Sequence, residues 1–377
     1  MAMLPYGRQS IDDDDVAAAT AVLRSDWLTT GPEVDRFEAA VAARAGVAHA
    51  VSVTSGTAAL HVAYAAAGIT SGDEVVTTPL TFVATAAGAA LHGAKIVFAD
   101  VDARTGNLDP AAAEAAVTDR TRVVAAVDYA GVPVDAAAFR DLGARKGILF
   151  LEDAAHSIGS TLDGVPVGSL ADITTYSFFP TKNLTTAEGG AVVTASDELA
   201  TRARAFKNHG LVRDKALQRY PDEGPWHQEV HSFGLNYRLP DVLAALGTSQ
   251  LTRLDAFVAR RAEVKASYDT AFAGIDGVDT PFVPAGASPA FHLYPLRVPA
   301  DRRREIFESL REQGIGVQVN YIPAYWHPVF EDLGYQRGQC PVAEDYYRRE
   351  ISLPMFPGLT DGDVERVIEA VSHAIGV

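Results

Sequence analysis

The sequence predicts an α/β protein: a large domain built on a mostly parallel central sheet, followed by a smaller α+β C-terminal domain. Three observations predict it. Between Ala50 and Leu151, short apolar runs alternate with alanine-rich helical stretches. Those runs lack strict in–out alternation, the pattern of strands covered on both faces rather than on one. Finally, a Gly- and Pro-rich segment, Gly274–Pro289, separates this region from a closing strand–helix–strand pattern. A chain of 377 residues also exceeds what one core comfortably serves, so domains of 1–250 and 251–377 are expected.

The elements follow in order. Four aspartates open a first helix over Asp12–Arg24, with acid at its favourable N-terminal end. Ser25–Pro32 breaks the pattern with a loop carrying Trp27, which suits either a binding loop or a tryptophan that simply packs. A second helix runs over Glu33–Arg44. Strands are then expected at Ala50–Thr54, Glu74–Thr78, Ile96–Ala99, Val123–Val127, Ile148–Leu151, Asp172–Ser177 and Gly190–Thr194. Helices fall between them at Ala58–Ala66, Phe82–Leu91, Pro110–Val117 and Asp135–Ala144, with another at Glu198–Phe206. Leu211–Ser232 is polar and irregular and reads as a loop, and Asp241–Phe272 as one long helical stretch. Beyond the Gly/Pro boundary come a strand over Phe291–Val298, a helix over Arg302–Gln313, a strand over Gly316–Asn320, and helices over Val342–Glu350 and Asp361–Ile375.

Composition excludes several function classes. At 48% hydrophobic and 21% charged the chain is an ordinary globular one. A net charge of −16 argues against non-specific nucleic-acid binding, which wants a basic surface. The lone Cys340 cannot form an internal disulfide or a cysteine metal cluster, and the histidines show no HExxH spacing. The opening Met1–Arg8 lacks a cationic segment followed by an apolar run, and no apolar stretch is long enough for a membrane span, so a cytoplasmic location without membrane partners is expected.

Chemistry converges on Ser177–Gly190. Lys182 is one of six lysines, follows the apolar pair Phe178 and Phe179 and the rigid Pro180, and precedes a tight Thr/Gly return. An amine held against apolar surface loses its proton more readily and becomes a nucleophile toward a carbonyl, although a half-buried structural lysine would look the same in isolation. Other residues supply what an aldehyde cofactor on that amine would need. Asp153, at a strand end, can keep a ring nitrogen protonated, or cap the next turn. Phe82 can stack on a flat ring, or pack in the core. Ser55-Gly56-Thr57 at a helix start, with Ser177, can bind a phosphate, though the stretch has neither GxGxxG nor GxxxxGK[ST] spacing. All lie just past the C-terminal ends of predicted strands, where ligands of parallel sheets gather. The constellation is that of pyridoxal phosphate.

These stretches carry a family resemblance: Ser55-Gly-Thr-Ala-Ala-Leu60, Pro79–Thr85, Glu152-Asp-Ala-Ala-His156, Ser177-Phe-Phe-Pro-Thr-Lys182, Glu188-Gly-Gly190 and Asn236-Tyr-Arg238. The sequence resembles the DegT/DnrJ/EryC1/StrS sugar aminotransferases, a branch of the fold-type I pyridoxal-phosphate enzymes, over essentially its whole length. The resemblance implies that Lys182 bonds the cofactor, that Asp153 pairs with its pyridine nitrogen, and that Phe82 stacks on the ring. It implies Gly56, Thr57 and Ser177 as phosphate ligands, and His156 beside the ring's phenolic oxygen, where many relatives carry glutamine. Asn236 resembles a residue that reaches the phosphate of a neighbouring subunit, so a homodimer with shared active sites is expected. Arg238 resembles a cross-subunit contact to the amino donor's carboxylate, and Thr29 and His327 fall in stretches that lie near substrate.

The activity implied is transfer of the amino group of L-glutamate to a nucleotide-linked keto sugar, with pyridoxamine phosphate as the carrier. Relatives that dehydrate sugars replace the lysine with histidine, and Lys182 therefore favours transamination over dehydration. A non-catalytic regulator that kept the fold is the other alternative. Asp26–Pro32, Asn208–Asp214 and Gly224–Trp226 most resemble enzymes that aminate C4 of a UDP-linked 4-keto-6-deoxy-N-acetylhexosamine on the way to pseudaminic acid. The stretch Tyr321–Pro328 departs from the usual histidine-containing pattern at Tyr325.

Overall fold

The computed structural model describes residues 3–377; the first two residues of the Met1–Arg8 run lie outside the described residues. Helix α1 (Asp13–Leu23) starts from a capping box in which Asp12 and Asp15 exchange backbone and side-chain bonds. Helix α2 (Pro32–Ala45) starts with proline and ends on left-handed Gly46. Strand β1 (His49–Val53), helix α3 (Gly56–Ala66), strand β2 (Glu74–Thr77), helix α4 (Ala84–Ala90), strand β3 (Lys95–Phe98), helix α5 (Pro110–Ala116), strand β4 (Thr121–Val127), helix α6 (Ala136–Lys146) and strand β5 (Leu149–Asp153) alternate as their apolar runs predict. Short strands β6 (Thr161–Leu162) and β7 (Val165–Pro166) form a turn, and β8 (Ile173–Ser177) and β9 (Gly190–Thr194) complete the large sheet.

That sheet has seven strands in the order β1-β9-β8-β5-β4-β2-β3. β9 runs antiparallel to both its neighbours, and every other adjacent pair is parallel. Two reversals cancel, so β1 points the same way as β8, β5, β4, β2 and β3. The C-terminal ends of six strands therefore meet at one edge, which is where the sequence places Ser55–Thr57, Phe82, Asp153 and Lys182. Cores lie on both faces. One contains Val51, Leu60, Tyr64 and Leu151, the other Phe37, Phe150, Tyr176 and Phe178.

Helix α7 (Asp197–Phe206) leads into the segment read as a loop. It contains a two-stranded hairpin, β10 (Leu211–Val212) with β11 (Glu229–Val230), and carries the exposed apolar residues Trp226 and Val230, with exposed Phe233 directly after it. The stretch expected as one helix is two, α8 (Asp241–Leu251) and α9 (Leu254–Phe272). No Gly or Pro marks the break. Arg253 at the junction binds the carboxylates of Asp12, at 2.8 Å, and Asp15, so the tether to α1 outweighs helix continuity. The first half of α9 packs on the large core through Leu254 and Val258, the second on the smaller core through Val264, Tyr268 and Phe272.

The smaller domain pairs β13 (Tyr294–Arg297) with β14 (Glu350–Leu353), after the bridge strand β12 (Ala287–Ser288) has joined β6. Helices α10 (Arg303–Glu312), α11 (Pro328–Glu331), α12 (Pro341–Arg349) and α13 (Asp361–Ile375) surround it, α13 beginning with a Thr360–Asp363 capping box. The strand expected over Gly316–Asn320 is not a regular one. Gly316 N–H donates to Leu4, Gln318 exchanges bonds with Ser352, and the Asn320 N–H donates to the Glu350 carboxylate at 2.7 Å, so its backbone groups go to three different partners. Leu4 also donates to Gly314, and Met355 donates to the Tyr6 carbonyl, so the N-terminal residues are pinned on the smaller domain.

Candidate active site

A cavity of about 760 Å³ opens at the C-terminal edge of the sheet. Its lining includes Gly56, Thr57, Phe82, Asp153, His156, Ser177, Lys182 and His327 from the sequence reading. It also includes Tyr6, His292 and Tyr321, which that reading did not single out. Thr29, Asn236 and Arg238 do not line it. Thr29 is exposed and bridges Pro240; Asn236 is exposed and bridges Asn208; Arg238 bridges Val53 and donates to the Asn208 side chain at 2.7 Å. Trp27 does not pack away, being 55% exposed.

The base of the cavity is Asp153, buried at the end of β5. Its carboxylate accepts from Thr85 Oγ1 at 2.7 Å and from the Ala155 N–H at 3.1 Å. Thr85 in turn meets Thr81 at 2.8 Å. Burial pushes the Asp153 pKa above the ordinary carboxylate value, while these two donors and the nearby Lys182 charge act the other way.

Lys182 is half-buried and its Nζ makes no hydrogen bond among the described residues. Burial pushes its pKa down to about 8, and Asp153 is the charge that opposes the fall. The loop holding it is tightly tied. The Lys182 N–H donates to Phe179, and Asn183 Nδ2 donates to the carbonyls of Ala290 at 3.2 Å and His156 at 3.4 Å. Phe178 is fully buried, whereas Phe82 is 58% exposed at the cavity wall, which removes core packing as the explanation for Phe82.

Helix α3 also begins at the cavity. Ser55 caps it by accepting from the Ala58 N–H, which leaves the first-turn N–H groups of Gly56 and Thr57 without intrahelical partners. A Cβ on Gly56 would lie 2.7 Å from Ser177 Cβ, so only glycine lets the helix start and the end of β8 converge this closely. His156 is buried, and its Nε2 meets the Tyr321 hydroxyl at 3.1 Å. Tyr321 is carried by the segment anchored on Glu350, and the Tyr129 hydroxyl donates to the Asn320 carbonyl beside it. Tyr6 comes from the N-terminal segment and Tyr321 from the irregular 316–322 stretch, so neither had a local signal. His292 sits in an apolar run that reads as strand interior.

The arrangement can do chemistry that needs three things together: a low-pKa amine, a buried carboxylate near it, and an anion-binding helix start in the same cavity. Among the described residues no group of His, Cys, Asp and Glu suits a metal ion, and no helix is long and apolar enough to cross a membrane.

Known proteins share this chain's sequence pattern and architecture. The chain is 43% identical over 378 residues to the spore coat polysaccharide biosynthesis protein SpsC of Bacillus subtilis (strain 168), covering 99% of this chain and 97% of that protein. Its fold superposes on Helicobacter pylori PseC, described as an aminotransferase involved in the biosynthesis of pseudoaminic acid, with a TM-score of 0.92, 33% identity and 99% of both chains covered. It also superposes on the putative sugar aminotransferase Spr1654 from Streptococcus pneumoniae in its PMP-form, with a TM-score of 0.93, 28% identity and 98% of both chains covered. These likenesses establish the fold-type I architecture, a large α/β domain with a smaller C-terminal one. With the family's sequence profile matching residues 9–372, the chain belongs to the DegT/DnrJ/EryC1/StrS aminotransferase family.

Proposed function

We infer that this chain is a pyridoxal-phosphate-dependent aminotransferase that moves the amino group of L-glutamate to C4 of a nucleotide-linked 4-keto-6-deoxy sugar, with UDP-linked N-acetylhexosamines as the acceptor class. The observation that carries the reading is the unpartnered Lys182 amine near buried Asp153, in one cavity with the free N–H groups that open α3. Spr1654, solved in PMP- and PLP-forms, supports the cofactor, and the description of PseC supports the sugar class. SpsC bears no such sugar-specific description, so the sugar rests on PseC and on the sequence stretches that resemble its class.

The residues fit the cofactor. The Gly56 and Thr57 N–H groups and the Ser177 hydroxyl would take the phosphate, Phe82 would cover the ring, and His156 would face the ring oxygen. When bound, pyridoxal phosphate supplies an aldehyde carbon for bonding amines and a protonated ring that withdraws electrons, and its aminated form carries nitrogen from donor to acceptor. Asp153, buried and held by Thr85 and Ala155, would pair with a positive ring N–H. Lys182 Nζ would act as the base that holds and returns the proton in transfer; its lowered pKa leaves a usable fraction of free amine near neutrality.

Asn236 and Arg238 lie outside their own chain's cavity, on the edge of an arm with exposed Trp226 and Phe233. We assign them to the cavity of a second copy in a homodimer, Asn236 toward the phosphate and Arg238 toward the donor's carboxylate. Thr29 and His327 are assigned to the substrate, His327 from its own cavity wall.

The experiment incubates the enzyme with L-glutamate and a UDP-linked 4-keto-6-deoxy-N-acetylhexosamine. Release of 2-oxoglutarate matched by an amino sugar is expected, and Lys182→Ala should abolish it. A changed sugar without 2-oxoglutarate would instead mark a dehydratase. Mixing Lys182→Ala with Asn236→Ala subunits should restore activity by re-forming one intact site; no gain over either variant would refute the shared site.

A further inference from the structure

Two imidazoles meet at the cavity wall. The rings of His156 and His292 lie 4.3 Å apart between centroids and are tilted by 42°. Both are buried, and in both the Nδ1 atom is sealed off without a hydrogen-bond partner among the described residues. A histidine that must present one nitrogen in a fixed state is ordinarily oriented by a carbonyl or carboxylate at its other nitrogen. His156 has no such partner at Nδ1, and the tilted ring of His292 packs against it instead.

His292 is itself held from every side. Its N–H donates to the Ala130 carbonyl at 2.9 Å, and the carbonyls of Phe291 and His292 accept from Nη1 of the fully buried Arg261 at 3.2 and 3.3 Å. Phe291 is in the left-handed region at φ 46°, an uncommon conformation for a bulky residue, and it redirects the chain immediately before His292. Gly131, at φ 93°, makes the junction possible: a Cβ there would lie 2.8 Å from the His156 carbonyl and 3.1 Å from the His292 nitrogen. Asn183, next to Lys182, clamps the His156 carbonyl to Ala290.

We propose that His292 is a positioning residue for the transamination, its tilted ring packed against His156 and holding it as a neutral imidazole with its proton on Nε2, facing Tyr321 and the cavity. The chemistry follows from donor accounting. An imidazolium at either position would carry an Nδ1–H with no acceptor in a dry site, and a buried unpaired N–H is costlier than an unpaired lone pair. The proton of the neutral ring therefore belongs on Nε2, where His156 meets the Tyr321 oxygen. Burial lowers the pKa of both rings well below the ordinary value and the Lys182 charge lowers them further, with Arg261 adding to the effect on His292. The pair remains uncharged while Lys182 exchanges protons beside it.

The inference rests on the cofactor reading for its consequence in turnover, but its core can be read on cofactor-free protein. Nitrogen-15 NMR of the full chain should find His156 as the Nε2–H tautomer; an Nδ1–H tautomer overturns the proposal. His292→Ala should give mixed tautomers at His156, shift the absorbance maximum of bound pyridoxal phosphate, and lower kcat about tenfold with KM nearly unchanged, the size expected from losing one well-aligned hydrogen bond. His292→Phe, which keeps a flat ring, should recover most of the loss. Equal loss in both variants overturns the ring-packing role. In a His156→Gln background His292→Ala should cost less than twofold, because its target is gone; an undiminished tenfold loss overturns action through His156. A parent protein that takes up no pyridoxal phosphate refutes the functional reading, while the tautomer measurement still decides the pairing.

Discussion

The Lys182 amine gives the sharpest test of the site, because its state follows from two opposing causes. Burial lowers its pKa to about 8 from an ordinary 10.5, and Asp153 raises it. With a pKa of about 8, roughly one amine in eleven is free at pH 7, against about 0.03% for an unperturbed lysine, a gain of about 300-fold in reactive form. Competitive acetylation of the cofactor-free protein across a pH series, read on the Lys182 peptide by mass spectrometry, measures that fraction directly. The labelling midpoint should lie near 8, more than two units below the ordinary lysine value of 10.5. Replacing Asp153 by Asn removes the charge that opposes burial, so the midpoint should move further down. A midpoint near 10 in the parent, or an upward move in Asp153→Asn, would refute the view that desolvation activates this amine.

Other consequences can be checked on stability and cofactor retention. Gly131→Ala forces a side chain into a left-handed residue and against the His156 carbonyl, and should cost at least about 2 kcal/mol, seen as a melting temperature several degrees lower. Gly56→Ala should leave the melt nearer the parent's but weaken pyridoxal phosphate retention by tenfold or more, measured by equilibrium dialysis, because the new Cβ pushes Ser177 away from the helix start. His61 is held down to about 4 by burial and then by the neighbouring His92, so the folded ring stays neutral while the unfolded one takes a proton below about 6.5. Its contribution is therefore lost as pH falls from about 6.5 to about 4, and His61→Phe should flatten denaturation midpoints over that range. His156 and His292 shift in the same direction, so some slope should remain.

The sheet, and the gathering of most of the candidate residues at one cavity, were legible in the sequence because both depend on local pattern. Continuous apolar runs marked the strands, and the residues after each run fell at one edge once the strands were parallel. Phe82 is instructive: stacking and core packing could not be separated by type or spacing, only by its exposure in the cavity. What escaped depends on contacts between distant segments. The break between α8 and α9 comes from the grip of Arg253 on α1, and a helical pattern carries no trace of it. The strand expected at 316–320 has the right side-chain alternation but divides its backbone bonds among Leu4, Ser352 and Glu350. His292 looked like one more residue of an apolar strand, since the ring that gives it meaning is 136 positions earlier, at His156.

The one reversed strand of the sheet has a consequence for biosynthesis. β1 leaves the ribosome early, yet its hydrogen-bonding neighbour is β9, which starts only at Gly190. Until then its edge stays open, a template for sticking to other nascent chains. Zipping β9 between β1 and β8 closes that gap, and the same stroke carries the Lys182 loop into place, because the loop is the link between β8 and β9. Completion of the sheet and placement of the reactive amine thus depend on one and the same strand pairing.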